Sequence, residues 1–130
     1  MSGSMRWVIG GMCVMAMLAR CSTTPHQVSE SPERGVEQIA WEAIAKGAVV
    51  VDVRTDAEYQ QGHLPGAVNI PHDQIASRVA ELPSDKGQAI VLYCRSGRRS
   101  GIAKQSLEKL GFTNAINAGG YDALMLARPQ

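Results

Sequence analysis

The sequence predicts an α/β layered domain with a mainly parallel central sheet flanked by helices. Three observations predict it. Ala48–Val53 and Ala89–Tyr93 are short apolar, β-branched runs without polar alternation, the pattern of strands buried on both faces. Apolar residues at helical spacing stand before, between and after these runs. Helix and strand thus alternate, as they do where helical crossovers join parallel strands.

Each element has its own local signal. Val36, Ile39, Ala40, Ala43 and Ile44 recur at helical spacing, and Gly47 stops that helix. Ala48–Val53 is the first strand, and Asp56–Gln61 has room for one or two helical turns before Gly62. Ala67–Ile70 is a short strand closed by Pro71. Ile75, Val79 and Leu82 mark a second amphipathic helix over Asp73–Leu82, stopped by Pro83. Ala89–Tyr93 is the second buried strand. Ser100–Leu110 reads as a helix with Ile102, Ala103, Leu107 and Leu110 on one side and Gly111 at its end. Asn114–Ala118 is a weak strand and Tyr121–Ala127 a short final helix.

Composition excludes several classes of function. A chain of 130 residues is one domain's worth of sequence. Its 13 Lys+Arg against 12 Asp+Glu give a net charge of +1, and so no electrostatic case for nucleic acid. With 45% hydrophobic and 19% charged residues the chain is globular in character and not disordered. Three cysteines, Cys13, Cys21 and Cys94, do not make a disulfide scaffold. The three histidines are scattered, so no metal-ligand spacing exists and no cofactor is expected.

Residues 1–21 read as an export signal. Arg6 precedes the uncharged run Trp7–Ala19, which is 13 residues long, within the range of a signal core and short for a membrane span. Met5 is an alternative start that places Arg6 directly in the charged leader. Leu18-Ala19-Arg20-Cys21 resembles the lipobox of bacterial lipoproteins, with Arg20 where a small residue belongs. Two routes stay open: a lipid anchor on Cys21, or ordinary cleavage after Ala19. Either exports the domain, to the periplasm. Residues 22–33, rich in Ser, Thr, Pro and Glu, read as a flexible tether, and 34–130 as the folded domain. Loss of Arg6 and Arg20 from the 13 basic residues leaves 11 against 12 acidic ones, a net charge of −1. The exported part then holds a single thiol, Cys94, a liability in an oxidising compartment unless it has work to do.

Parallel sheets bind ligands at the carboxyl ends of their strands. The turn after Ala89–Tyr93 reads Cys94-Arg95-Ser96-Gly97-Arg98-Arg99-Ser100 and leads into a helix. A thiol there meets the positive end of the helix dipole, and free N–H groups can converge on an anion. Gly97 lets the loop curl into a nest, and Arg95, Arg98 and Arg99 add positive charge. Each of these favours the thiolate, the nucleophilic form. The chemistry indicated is a Cys94 nucleophile acting on a small anion. A buried inert cysteine among surface arginines is the alternative.

These residues, with Val51-Asp52-Val53-Arg54, Glu58-Tyr59 and Gly62-His63-Leu64-Pro65-Gly66-Ala67-Val68-Asn69-Ile70-Pro71, closely resemble the rhodanese family. Within it the chain is similar to the small single-domain periplasmic thiosulfate sulfurtransferases, over roughly residues 35–127. The resemblance implies a three-layer rhodanese-like domain with a parallel five-stranded sheet. It implies that Cys94 takes the outer sulfur of thiosulfate, releases sulfite, and passes the sulfur from a persulfide to cyanide or a thiol. Residues Arg95, Ser96, Gly97, Arg98, Arg99 and Ser100 are then the substrate-binding loop, with Arg98 and Arg99 ahead of Arg95. The resemblance also makes His63 the holder of a turn. Arg54, at a strand end, is expected to pair with Glu58. Trp41 and Phe112 are expected in the core. Gly119-Gly120 matches the family's double glycine, but the tryptophan often found after it is absent, and Leu124 or Met125 is expected to fill its space.

Two other functions compete. Cysteine-dependent phosphatases use Cys-x5-Arg, whereas Cys94 and Arg99 are spaced Cys-x4-Arg, and the shorter loop leaves less room for a phosphate ester. A sulfur-carrier or binding module with little turnover is the other, because fold alone does not fix function.

Overall fold

The computed structural model describes residues 34–130, so the segments expected to be an export signal and a tether, Cys21 included, lie outside the described residues. Five helical segments and four strands follow in order: α1 (Val36–Ala45), β1 (Val49–Asp52), α2 (Asp56–Gln60), β2 (Val68–Asn69), a 3₁₀ turn (Val79–Glu81), β3 (Ile90–Cys94), α3 (Arg98–Lys109), β4 (Ala115–Gly120) and α4 (Tyr121–Leu126). The strands form one sheet in the order β2-β1-β3-β4, every pair parallel. No helix among the described residues is long and apolar enough to cross a membrane.

The apolar runs read as doubly buried strands are doubly buried. All five residues of β3 are inaccessible, and they alternate between the two faces. Ile90, Leu92 and Cys94 enter one core with Val51, Val53, Ile70, Ala103, Leu107 and Phe112. Val91 and Tyr93 enter the other with Ala40, Val50, Leu64, Ala118 and Leu124. The sheet is thus sandwiched, with α3 on the first face and α1 and α4 on the second, the three layers predicted. Cys94 points to the α3 side.

Four features differ from expectation. The sheet has four strands among the described residues, not five. Asp73–Leu82 is not a helix but a run of turns ending in the three-residue 3₁₀ turn. Ile75 and Leu82 are buried, which produced the helical signal, yet successive turns bury them without a continuous helix, with the Gln74 N–H on the Pro71 carbonyl and the Leu82 N–H on the Val79 carbonyl. β4 runs on through both glycines, where Asn114–Ala118 was expected. Ile102, assigned to the inner side of α3, is exposed, and the inward positions are Ser100, Ala103 and Leu107.

Phe112 is in the core, and Trp41 is half-buried, donating its indole N–H to the Leu124 carbonyl at 2.9 Å, which ties α1 to α4. Of the two residues expected to stand in for the absent tryptophan, Leu124 is fully buried and Met125 is exposed.

Candidate active site

β3 ends at Cys94 and α3 begins at Arg98, so the residues between must reverse direction within one tight loop. Gly97 makes this reversal with φ +92°, a conformation that disfavours any side chain. Gly97 is also the N-cap of α3 and offers no side chain to the helix's free N–H groups. The sulfur takes that place. Cys94 Sγ accepts the Gly97 N–H at 2.9 Å and lies 3.6 Å from the Ser100 hydroxyl.

Burial pushes the Cys94 thiol up, but the Ser100 hydroxyl and the N–H groups of Ser100, Ser96 and Gly97 outweigh it. The thiol therefore sits below its ordinary value. Cys94 is itself fully buried.

The strand beside the loop has no bulk to spare. A Cβ on Gly120 would stand 2.5 Å from the Arg95 carbonyl oxygen, and one on Gly97 would stand 3.2 Å from Gly119 Cα. The double glycine is where β4 passes directly beneath the loop.

The loop arginines divide. Arg95 and Arg98 are exposed. Arg99 is held away by Glu58 of α2, which accepts from its guanidinium at 2.7 and 3.0 Å. Glu58 also closes a capping box with Thr55, so it serves a helix start and an ion pair together. The expected Arg54–Glu58 pair is therefore corrected. Arg54 is bound to the fully buried Asp52 at 2.6 Å and donates to the Gly62 carbonyl at 2.6 Å, because a strand end inside the core cannot leave either charge alone. His63 is exposed, stacks on Tyr59 at 3.7 Å and donates Nδ1–H to the Tyr59 carbonyl at 2.9 Å, bracing the turn that follows α2.

The Arg99 guanidinium, foremost, then the Thr55 N–H and hydroxyl, hold the Glu58 carboxyl near 2 against a lesser opposing push from burial. A lowered value means that this stabilisation is present at neutral pH and lost as pH falls from about 4.5 toward 2. Both side chains are 26% exposed, so screening reduces the effect to about 1–2 kcal/mol. Glu58→Gln is expected to lose that much at pH 7 and to show a flatter acid limb. Urea unfolding at neutral pH and near pH 3 reads both, and equal losses at the two values would refute the linkage.

A cavity of about 270 Å³ opens beside the loop, lined by Arg54, Glu58, Gly62, Arg95, Tyr121 and Asp122 among others. Cys94 does not line it. Two positions that the sequence reading did not single out for the site belong to this region: Glu58, through Arg99, and Asn117 of β4, whose amide bonds to the loop. Neither carries a local signal, because each partner comes from a distant segment.

The family model described as the rhodanese-like domain matches residues 37–127. The chain is 44% identical over 78 residues to thiosulfate sulfurtransferase PspE of Escherichia coli strain K12, covering 60% of this chain and 75% of that protein. It is 38% identical over 78 residues to a sulfurtransferase of Allochromatium vinosum, covering 60% and 71%. Among solved structures it is similar to a rhodanese with anions from E. coli, with a TM-score of 0.55 and 41% identity over 58% of this chain and 88% of that one. The Cys94 loop at the start of α3, the parallel sheet that positions it and these matches lead to one conclusion: the chain belongs to the rhodanese family.

Proposed function

We propose that this rhodanese-family sulfurtransferase moves the outer sulfur of thiosulfate to cyanide or a thiol through a persulfide on Cys94. The observation that supports the reading most is the sulfur itself, set at the uncapped start of α3 with the Gly97 N–H on it at 2.9 Å. The Cys94 thiolate attacks the outer sulfur. An Sγ–S bond forms, the S–S bond of thiosulfate breaks, and its electron pair leaves with sulfite. Attack by cyanide or a thiolate on the outer persulfide sulfur then returns the Cys94 thiolate. Arg95 and Arg98, exposed on the loop, supply charge for a dianion, while Arg99 is occupied by Glu58. Because Cys94 has no accessible surface, the donor reaches it only as the surrounding loop yields. A relative named for thiosulfate sulfur transfer, and a similar structure described with anions, add support.

The proposal also places the domain outside the cytoplasm, in the periplasm. Its support is the pattern of residues 1–21, with Cys21 as the lipid-bearing residue if the signal is of the lipoprotein kind.

The test uses the full chain, reduced and then exposed to thiosulfate. The intact mass should rise by one sulfur, peptide mapping should place it on Cys94, and added cyanide should release thiocyanate catalytically. Folded protein that gains no sulfur and forms no thiocyanate would overturn the reading. Loading without turnover would replace it by the sulfur carrier.

A further inference from the structure

Asn117 lies in the middle of β4, yet its side chain serves the Cys94 loop. Its Nδ2 donates to the Gly97 carbonyl at 3.0 Å. Its Oδ1 accepts the Gly119 N–H at 3.0 Å and the Ser100 hydroxyl at 2.7 Å. The backbone partners fix the amide's orientation. A flipped amide would set its NH₂ against the Gly119 N–H and its oxygen against the Gly97 carbonyl. One side chain thus joins the sheet, the loop and the first turn of α3. Gly97 has the conformational freedom of glycine, so the two peptide units that meet at its Cα must be held from outside. Asn117 holds the carbonyl of the unit after Gly97, which limits the torsions through which the unit before it turns its N–H to Cys94 Sγ at 2.9 Å.

Ser100 adds a second part. Its hydroxyl has one proton. Three acceptors are within reach: Asn117 Oδ1 at 2.7 Å, the Gly97 carbonyl at 3.0 Å and Cys94 Sγ at 3.6 Å. A neutral thiol is a weak acceptor, so the proton stays with the nearest oxygen. A thiolate is a charged acceptor, and bonds to charged groups are roughly twice as strong. When the hydroxyl turns to the sulfur, Asn117 Oδ1 keeps the Gly119 N–H and is not orphaned.

We propose that Asn117 is a positioning residue for Cys94. It holds the loop in the shape that aims the Gly97 N–H at the sulfur, and it keeps the Ser100 hydroxyl occupied until the sulfur becomes anionic. This rests on Cys94 being the nucleophile, as proposed above, but not on thiosulfate being its donor. The charged groups on the surrounding elements are Arg95, Arg98 and Arg99 of the loop and α3, Glu58 of α2 paired with Arg99, the Asp52–Arg54 pair at the end of β1, Asp122 of α4, and Glu37 of α1, whose carboxylate lies beside Gly119. β4 brings none, so a charge at position 117 would be new to the site.

The experiment titrates the ultraviolet thiolate absorbance of the full chain, with the Cys94→Ser spectrum subtracted to remove Cys13, Cys21 and the tyrosines. Asn117→Asp keeps the acceptors for Gly119 and Ser100, loses the donor to Gly97 and adds a negative charge. Its midpoint should move up by about one pH unit or more. Ser100→Ala should move it up, whereas Asn117→Ala lets the Gly97 N–H drift from the sulfur but frees the Ser100 hydroxyl for it, so the double variant should move up by more than the sum of the single shifts. The pH profile of sulfur loading should shift up with the thiolate midpoint in Asn117→Asp, the rate being regained as pH is raised, a change that a merely structural role would not produce. A wild-type midpoint in folded Asn117→Asp would overturn the proposal, and strict additivity would overturn the shared hydroxyl. Should Asn117→Ala not fold, Asn117→Asp, with two of its three bonds intact, carries the test. A wild-type protein that takes no sulfur from thiosulfate defeats the donor assignment while the titration still judges Asn117.

Discussion

Cys94→Ser is expected to abolish sulfur loading and to cut thiocyanate formation by roughly 10⁴-fold or more, with the fold retained. A hydroxyl is a far weaker acid than a thiol. The N–H groups that favour a thiolate cannot make an alkoxide at neutral pH. Stability should change by only about 1 kcal/mol, because serine remains a good acceptor for the donors at the start of α3. Intact mass after thiosulfate, thiocyanate release and a urea unfolding curve check the three parts. The full chain also holds Cys13 and Cys21, so the position of any added sulfur must be mapped. A serine variant that still turns over at the wild-type rate would move the nucleophile to another residue.

What the sequence made legible is what local chemistry determines. The inward and outward alternation of β3, the helix that follows it and the nest at Gly97 are all consequences of residues close in the chain. The α2 capping box is of the same kind, although only a turn or two was expected there. The failures are pairings that need the strand order. Glu58 meets Arg99 across 41 residues of sequence because β1 and β3 are neighbours, and no local pattern distinguishes that partner from the nearer Arg54. Asn117 looks like a polar interruption of a weak strand until β4 is laid beside the loop. Asp73–Leu82 misled for the opposite reason. Its apolar spacing is real and its anchors are buried, but turns can bury Ile75 and Leu82 as well as a helix can.

Asp52→Ala is expected to destabilise the domain by about 3–5 kcal/mol, a large share of a typical domain's 5–15 kcal/mol. Asp52 is fully buried, and its carboxylate accepts from the Arg54 backbone N–H at 2.9 Å, from Nε at 3.0 Å and from Nη2 at 2.6 Å. The Arg54 guanidinium is nearly as buried, so without Asp52 its charge keeps the Gly62 carbonyl and the faces of Tyr121 and Tyr93, 4.6 and 5.5 Å away. Those partners cannot balance a desolvated cation. Arg54→Leu should cost a similar amount by stranding the carboxylate. The double variant Asp52→Ala/Arg54→Leu should cost clearly less than the two losses added, since it removes both charges together. Urea unfolding with an unchanged slope reads the series. A loss below about 1 kcal/mol for Asp52→Ala would mean that water reaches Arg54 and that the pair is not a buried one. The pair also bears on the site. Arg54 forms a wall of the cavity that Arg95 and Asp122 share, and the Asn69 amide bonds to the carbonyls of both Asp52 and Arg54. Loosening this strand end should therefore weaken substrate binding before it touches the chemistry at Cys94, appearing in KM for the small anion while single-turnover loading at saturation stays near that of the wild type.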